Sequence, residues 1–238
     1  MRSDGRAVDE MRKVKATLGF SKFAEGSCLI EIGDTVVLCN ASVEDKVPPH
    51  VTKGGWVTAE YSMLPRANRS RSKRDVAKLK LSPRSAEIQR LIGRSLRCAV
   101  DLEALGEHTI TVDCDVLQGD GGTRTASVTG GFIAMTLACR KLVEQGKIPK
   151  LPVRTYVSGI SAGIVRNEAM LDLCYEEDSR ALVDLNCIMT AEGDIIELQA
   201  TGEGRPFSME EHRKLISLCR KGNNVLVQMQ RRCLGNLE

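Results

Sequence analysis

One helical stretch constrains the fold of this chain more than any other part. Residues Ala126–Glu144 are apolar around most of the helix circumference, and the stretch ends near Gly146. A helix of this kind is stable in a globular protein only when other elements cover it, so we expect it to be central. The strand-like apolar run Thr109–Leu117 lies shortly before it. The other elements are therefore expected around this helix.

Six further apolar runs form three predicted β-hairpins. The short segments between the paired runs contain the Gly, Asn or Asp residues that tight turns favour. The predicted pairs are Ser27–Glu31 with Thr35–Val43, Ser158–Val165 with Ala169–Cys174, and Leu182–Thr190 with Ile195–Ala200.

Two more helices have recognisable starts. Ser82 can cap the first, and Pro83 suits its opening turn. Ser208 and Glu211 form a capping box at the start of the second, and Gly222 is predicted to close it. Strands, then helices, then strands and a helix indicate an α+β fold in which a mixed sheet packs with helices.

Composition limits the class of protein. Of the 238 residues, 42% are hydrophobic and 27% are charged, as is ordinary for a soluble globular protein. No apolar run approaches the roughly 20 residues of a membrane span, so no membrane association is expected. The nine cysteines occur singly beside only three histidines, which argues against structural zinc and disulfides and favours a reduced, cytoplasmic protein. No linker-like segment divides the chain, so we expect one domain over residues 1–238 that includes a helical segment at about 208–238.

The loop just before the central helix has several features of an anion site, and it reads Gln-Gly-Asp-Gly-Gly-Thr-Arg-Thr-Ala. Gly121 and Gly122 leave room for a ligand beside the backbone, where the start of the helix presents free N–H groups. Thr123 and Thr125 add hydroxyl donors, and Arg124 adds a planar fork that suits phosphate. The alternative is a glycine-rich turn with an incidental surface arginine.

Arg84 lies near the start of the helix that Ser82 caps. A cation is electrostatically disfavoured at that end of a helix unless an anion binds there. Arg84 could therefore be a second arm of the anion site that Arg124 begins, if packing brings the two helix starts together. The alternative is a solvated helix face, since three further arginines continue the same side.

A basic segment extends from Arg66 to Lys80 and contains seven Lys or Arg residues with a single acid, Asp75. Arg66, Arg71 and Arg74 belong to its densest part. Such a segment fits the phosphates of a nucleic acid better than a small ligand. Because no aromatic residue interleaves with it, base stacking from this segment is not indicated. The alternative is a solvated or partly disordered loop.

Two carboxylates flank a predicted connection between strands. Asp178 follows one apolar run, and Asp184 lies at the start of the next. Such a pair can hold a hard divalent cation, and a carboxylic acid there can protonate a departing oxygen. The alternative is a charged loop whose acids cap turns or pair with Arg180.

A linear series of separate motifs runs through nearly the whole chain. It comprises Arg2–Arg6, Glu25–Ser27, Asn40–Glu44, Trp56–Arg66, Glu87–Arg94, Gly121–Ala126 and Asp172–Asp178 followed by Asp184. Together they resemble the family of ribonuclease PH, polynucleotide phosphorylase and the exosome core domains. The whole series is far more specific than any one of its members.

The resemblance implies a site for inorganic phosphate. By this resemblance, Gly122, Thr123 and Arg124 hold an attacking phosphate with help from Thr125. The arginine at the other helix start, Arg84, contacts the same phosphate.

The resemblance also implies catalytic acids and an RNA-binding loop. Asp178 and Asp184 match the acids associated with a divalent metal, Mg²⁺ or Mn²⁺, and with protonation of the leaving oxygen. Arg66, Arg71 and Arg74 match a basic loop that engages tRNA.

The implied fold is the α+β type of ribosomal protein S5 domain 2, and the implied assembly is a homohexamer built as a trimer of dimers. The implied activity is reversible phosphorolysis of the 3′ end of tRNA precursors and other RNA, with release of nucleoside 5′-diphosphates. Gly119 stands where many relatives carry alanine, and we expect no functional consequence.

Three other classes of protein compete with this interpretation. A catalytically silent RNA-binding ring subunit shares the basic surface, but it should lack Arg124 or the acidic pair, and this chain has both. A metal-dependent hydrolytic nuclease needs the acids but no phosphate loop. A small-molecule kinase can use a glycine-rich anion loop but does not account for the basic segment.

Overall fold

The structure is a computed structural model that describes residues 2–74 and 80–237. The strands in this part of the chain are β1 (Val14–Leu18), β2 (Gly26–Ile32), β3 (Thr35–Glu44), β4 (Trp56–Met63), β5 (Thr109–Gln118), β6 (Val157–Val165), β7 (Glu168–Leu171), β8 (Val183–Thr190) and β9 (Ile195–Thr201). The helices are α1 (Pro83–Ala99), α2 (Leu102–Leu105), α3 (Thr123–Glu144), α4 (Tyr175–Asp178) and α5 (Met209–Leu234).

Two sheets enclose the central helix. The first has the strand order β1-β2-β3-β5-β4, with β4 and β5 parallel and the other neighbours antiparallel. The second has the order β7-β6-β8-β9 and is antiparallel. α3 packs against β2, β3 and β5 on one side and against β6 and β8 on the other, while α1 covers β4 and α5 covers β6 and β7. The predicted α+β fold of a mixed sheet packed with helices is confirmed.

The three predicted hairpins are present as the pairs β2–β3, β6–β7 and β8–β9. In the second hairpin, Arg166 and Asn167 have φ values of 52° and 64°, as a two-residue turn with matching twist requires. Every residue of β6 is buried, because α3 packs against this strand and so does α5. This explains why the strand is a continuous run of apolar and small residues.

The apolar character of α3 comes from its position between the sheets. The helix has 22 residues, and an 18-residue window within it has a mean hydropathy of 1.2, so by length and composition it could span a membrane, which differs from the expectation from sequence. However, 78% of that window is buried inside the protein. The helix is the centre of the hydrophobic core, and that burial accounts for its composition.

Two predicted helix boundaries are wrong. The central helix begins at Thr123 rather than Ala126, because Gly122 adopts the left-handed conformation and acts as the N-cap. The last helix does not end at Gly222 but continues to Leu234. A Cβ at Gly222 would lie 2.8 Å from Ile160 Cγ1, so this glycine allows α5 to approach β6 closely and does not terminate the helix.

Candidate active site

The first turns of α1 and α3 meet α4 and the start of β8 at one groove. The groove has two lobes, and both are lined by Arg84, Arg124, Asp178, Asp184 and Asn186. The lobe that we call the loop lobe also includes Met63, Asn68, Arg69, Ser161, Tyr175 and the glycine-rich loop. The other, which we call the β9 lobe, also includes Glu87, Gln199 and Glu203. Packing therefore does bring the two helix starts and the two predicted acids together.

The glycine-rich loop is shaped by backbone that other residues rarely adopt. Gly121 and Gly122 have φ values of 76° and 66°. A Cβ on Gly121 would overlap the carbonyl oxygen of Leu173, so α4 and the loop are in direct contact here. No side chain caps the N-terminus of α3, and its first turn contains no acidic residue. The N–H groups of this turn and the positive end of the helix dipole are thus available to an anion in the groove.

The two predicted threonine donors are already engaged within the protein. Thr123 Oγ1 lies 2.8 Å from Tyr61 Oη, and Thr125 Oγ1 donates to the carbonyl oxygen of Gly122 at 2.9 Å. Thr123 and Thr125 are 8% and 3% exposed. Thr125 uses its proton within the loop, whereas Thr123 keeps its proton for an anion when Tyr61 is the donor in their hydrogen bond.

Arg124 and Arg84 are the cations that line both lobes of the groove. The Arg124 side chain is only 16% exposed, and its Nη1 donates to Gln199 Oε1 at 2.6 Å and to Glu87 Oε1 at 3.2 Å. These two acceptors hold the guanidinium over the start of α3. Arg84 is exposed in the first turn of α1 and lines both lobes of the groove.

Asp178 ends α4, and Asp184 is the second residue of β8. Burial, together with the negative charge of Asp178, raises the pKa of Asp184 to about 6, while Arg124 acts in the opposite direction. Asp178 is exposed on the groove wall, yet desolvation by the surrounding protein raises the pKa of its carboxyl against the effects of Arg84 and Arg124. Arg180 pairs with Glu176 rather than with either acid, so the predicted alternative pairing does not occur.

The two carboxylates have the chemistry of a magnesium site. Their mutual repulsion means that a cation between them would stabilise both charges. Magnesium in phosphate-handling sites is held by one or two carboxylates, with water and substrate phosphate as its other ligands. Within residues 2–74 and 80–237, no group of three or more His, Cys, Asp or Glu side chains could hold a metal ion. Asp178 and Asp184 instead fit a magnesium site of two carboxylates, in which water and substrate phosphate are the other ligands.

A buried arginine network beneath the groove was not predicted from the sequence. Arg2 donates to both carboxylate oxygens of Glu177, at 2.7 and 2.6 Å, and so fixes α4. Arg12 pairs with Asp172 at 2.7 Å and also donates to the carbonyl oxygen of Asp120. The motif Arg2–Arg6 was part of the resemblance, but only the tertiary contacts reveal this role.

The predicted RNA-binding arginines lie on the segment that follows β4. Arg66, Arg71 and Arg74 are all exposed. Their segment is attached to the site, because the N–H of Gly119 donates to the carbonyl oxygen of Ala67 at 2.8 Å. The remaining part of the basic segment that covers 75–79 lies outside the described residues.

Solved structures share this fold. A rice (Oryza sativa) Rrp46 structure is 17% identical with a TM-score of 0.77, and the match covers 98% of this chain and 100% of that one. An exosome of Archaeoglobus fulgidus with RNA bound to the active site is 24% identical with a TM-score of 0.80, covering 95% and 91%. An archaeal exosome core is 23% identical with a TM-score of 0.74, covering 97% and 90%. The fold is of the ribosomal protein S5 domain 2 type.

Family models match both halves of the chain. Residues 10–141 match domain 1 of the 3′ exoribonuclease family, and residues 155–222 match domain 2. The first match contains the glycine-rich loop, Arg84 and Arg124, and the second contains Asp178 and Asp184. The chain belongs to the 3′ exoribonuclease family.

Proposed function

We propose that this protein is a phosphate-dependent 3′-to-5′ exoribonuclease that releases nucleoside 5′-diphosphates. One observation carries the proposal: Arg84 and Arg124 line the same groove as Asp178 and Asp184. The groove thus has a place for a second anion beside a scissile phosphate. A hydrolytic nuclease does not need a site for a second anion.

The nucleophile is inorganic phosphate, held by the two arginines and the first-turn N–H groups of α3. One of its oxygens attacks the phosphorus of the terminal nucleotide in line, and the bond from that phosphorus to the preceding 3′-oxygen breaks. Two anions must approach each other in this step, so positioning and charge neutralisation are the main demands on the protein. The same chemistry run backwards adds a nucleotide from a nucleoside diphosphate.

Asp184 is the proton source for the departing 3′-oxygen. Burial raises the pKa of its carboxyl, which favours the protonated form that a proton donor needs. Asp178 and Asp184 would hold a Mg²⁺ or Mn²⁺ ion, which when bound supplies positive charge to the scissile phosphate. Among the described residues, no histidine lines either lobe of the groove. The reaction needs no covalent intermediate.

The substrate is the 3′ end of tRNA precursors and other RNA. The exposed arginines Arg66, Arg71 and Arg74 support this, since their segment is hydrogen-bonded to Gly119 beside the glycine-rich loop and their charges suit a phosphate backbone. The assembly is a homohexamer formed as a trimer of dimers, and the protein acts in the cytoplasm. Light scattering of the purified protein checks the assembly: a mass of six chains is expected, and a monomer would contradict it.

Product analysis tests the reaction. A tRNA precursor with a 3′ extension is incubated with the protein and Mg²⁺, with or without inorganic phosphate. We expect nucleoside diphosphates only when phosphate is present, and extension of the RNA when nucleoside diphosphates are supplied instead. Nucleoside monophosphates formed without phosphate would establish hydrolysis. RNA binding without any product would identify a silent binding subunit.

A further inference from the structure

Tyr175 is an aromatic residue that the proposed reaction does not use. It is 50% exposed, whereas the other two tyrosines, Tyr61 and Tyr156, are 2% and 6% exposed. Tyr175 lines the loop lobe of the groove beside the phosphate loop. The protein therefore places an exposed aromatic side chain next to its candidate reaction centre.

The backbone of Tyr175 is fixed against the phosphate loop. Its N–H donates to Asp120 Oδ1 at 3.3 Å, and a Cβ on Gly121 would lie 3.0 Å from its nitrogen. Tyr175 begins the single turn of α4 that ends at Asp178, and residues three apart lie on the same side of a helix. The side chain thus lies near the glycine-rich loop and on the same side of α4 as Asp178.

Arg69 lies over the ring of Tyr175, with its guanidinium carbon 5.7 Å from the ring centroid. Arg69 is exposed and belongs to the basic segment that follows β4, so it reaches the groove from a different element. A planar guanidinium and an aromatic ring are the two protein groups that stack on nucleobases.

The charges of the two lobes indicate which one receives RNA. Beyond the charged residues that both lobes share, the loop lobe carries one cation and one acid, Arg69 and Asp120, whereas the β9 lobe carries two acids, Glu87 and Glu203. A phosphate backbone is therefore repelled more by the β9 lobe than by the loop lobe. The RNA end therefore enters over the loop lobe, where Tyr175 and Arg69 lie.

We propose that Tyr175 and Arg69 form a stacking subsite for a nucleobase at the 3′ end of bound RNA, an inference that rests on the proposed function. The base lies on the exposed Tyr175 ring, and the Arg69 guanidinium moves outward to cover the other face of the base. Stacking tolerates every base, because each has a π-face. The subsite thus holds the RNA end in place without selecting its sequence.

Binding measurements test the subsite without turnover. The affinity of a short single-stranded RNA is measured in Mg²⁺ without phosphate for the wild type, Tyr175→Ala and Tyr175→Phe. A second RNA is abasic at its two 3′-terminal positions. We expect Tyr175→Ala to weaken binding of the normal RNA about tenfold and Tyr175→Phe to stay within about twofold of the wild type. Wild type and Tyr175→Ala should bind the abasic RNA equally.

Three results would overturn the subsite: normal RNA bound equally by Tyr175→Ala and the wild type, an equal loss with Tyr175→Phe, or the same tenfold loss on the abasic RNA. Arg69→Lys keeps the positive charge but removes the planar guanidinium. We therefore expect weaker binding of the normal RNA and unchanged binding of the abasic RNA. Equal melting temperatures check that the variants are folded. Failure of the proposed function would give a different result: the wild type, incubated with RNA and phosphate, would release no nucleoside diphosphates.

Discussion

Arg12 forms two charge-assisted hydrogen bonds with Asp172, from Nε to Oδ2 at 3.0 Å and from Nη2 to Oδ1 at 2.7 Å. The same guanidinium donates to the carbonyl oxygen of Asp120 and, at 3.5 Å, to that of Gly121. Arg12 and Asp172 are 8% and 2% exposed. Arg12, in the N-terminal segment, thus forms a buried ion pair and supports the backbone of the glycine-rich loop.

Replacement of Arg12 should therefore destabilise the protein strongly. Arg12→Ala leaves the buried Asp172 carboxylate without its main partner, and we expect the free energy of unfolding in urea to fall by about 3–5 kcal/mol. Lys15→Ala is the control, since the Lys15 side chain is 71% exposed in its pair with Glu31. That variant should lose less than about 1 kcal/mol. Equal losses in the two variants would contradict the role given to Arg12.

Arg124→Ala should abolish phosphate-dependent release while RNA binding survives. The Arg124 guanidinium is directed at the groove by Gln199 and Glu87, and loss of a preorganised cation costs about 100-fold or more in rate. Arg94→Ala is the matched control, because that side chain is 52% exposed and pairs with Glu197. The initial rates of the wild type and the two variants are measured at several phosphate concentrations. Unchanged activity in Arg124→Ala would refute its assignment to phosphate.

Local features of the fold were predictable from the sequence. The hairpin turn at Arg166 and Asn167 and the caps at Ser82 and Ser208 depend on neighbouring residues alone. The end of α5 was not predictable, because Gly222 acts through its contact with Ile160 on another strand. The one-turn helices α2 and α4 are too short for a periodic pattern, and they were missed.

The candidate site was predictable in its residue types but not in its connections. Arg84 and Arg124 were expected to meet, and they line one groove. The hydrogen bond between the hydroxyls of Thr123 and Tyr61 joins α3 to β4, so no local sequence pattern indicates it. The pairing of Arg12 with Asp172 joins positions far apart in the chain, so no local pattern could reveal it.

Gly222→Ala should destabilise the protein although alanine favours helices. The gain in helix propensity is about 1 kcal/mol, but the new Cβ would lie 2.8 Å from Ile160 and 3.0 Å from Leu171, which are both buried in the core. Overpacking of this kind costs about 1–3 kcal/mol, so we expect a net loss in urea unfolding. Lys221→Ala, at the exposed neighbouring position, should change stability little. A more stable Gly222→Ala variant would show that α5 can move away from β6.

Asp113→Asn should stabilise the protein at neutral pH. Burial, together with the negative charges of Glu60 and Asp115, raises the pKa of Asp113 to about 6. Because the folded pKa lies above the unfolded one, the folded state binds the proton more tightly, and stability falls as pH rises from about 4 to about 7. We expect Asp113→Asn to gain about 1 kcal/mol over the wild type at pH 7.5 after allowance for solvent screening, and the gain to shrink toward pH 4.5. A variant less stable than the wild type at pH 7.5 would contradict this.

The exposed arginines of the basic segment should determine how RNA binding depends on salt. Each phosphate contact contributes about 0.7–0.9 to the slope of log affinity against log salt concentration. Replacement of Arg66, Arg71 and Arg74 by alanine should therefore weaken binding of a tRNA precursor and make the slope shallower by about 2.

The matched control removes three exposed lysines elsewhere. Lys15, Lys53 and Lys214 have side chains that are 71%, 74% and 62% exposed, and none of them lines the groove. Replacing them by alanine changes the net charge equally, so a long-range effect of charge alone would shift both triple variants by the same amount. We expect the slope to change only in the arginine variant, because only those side chains contact the phosphates. Equal slopes in the two variants would locate the RNA path away from this segment.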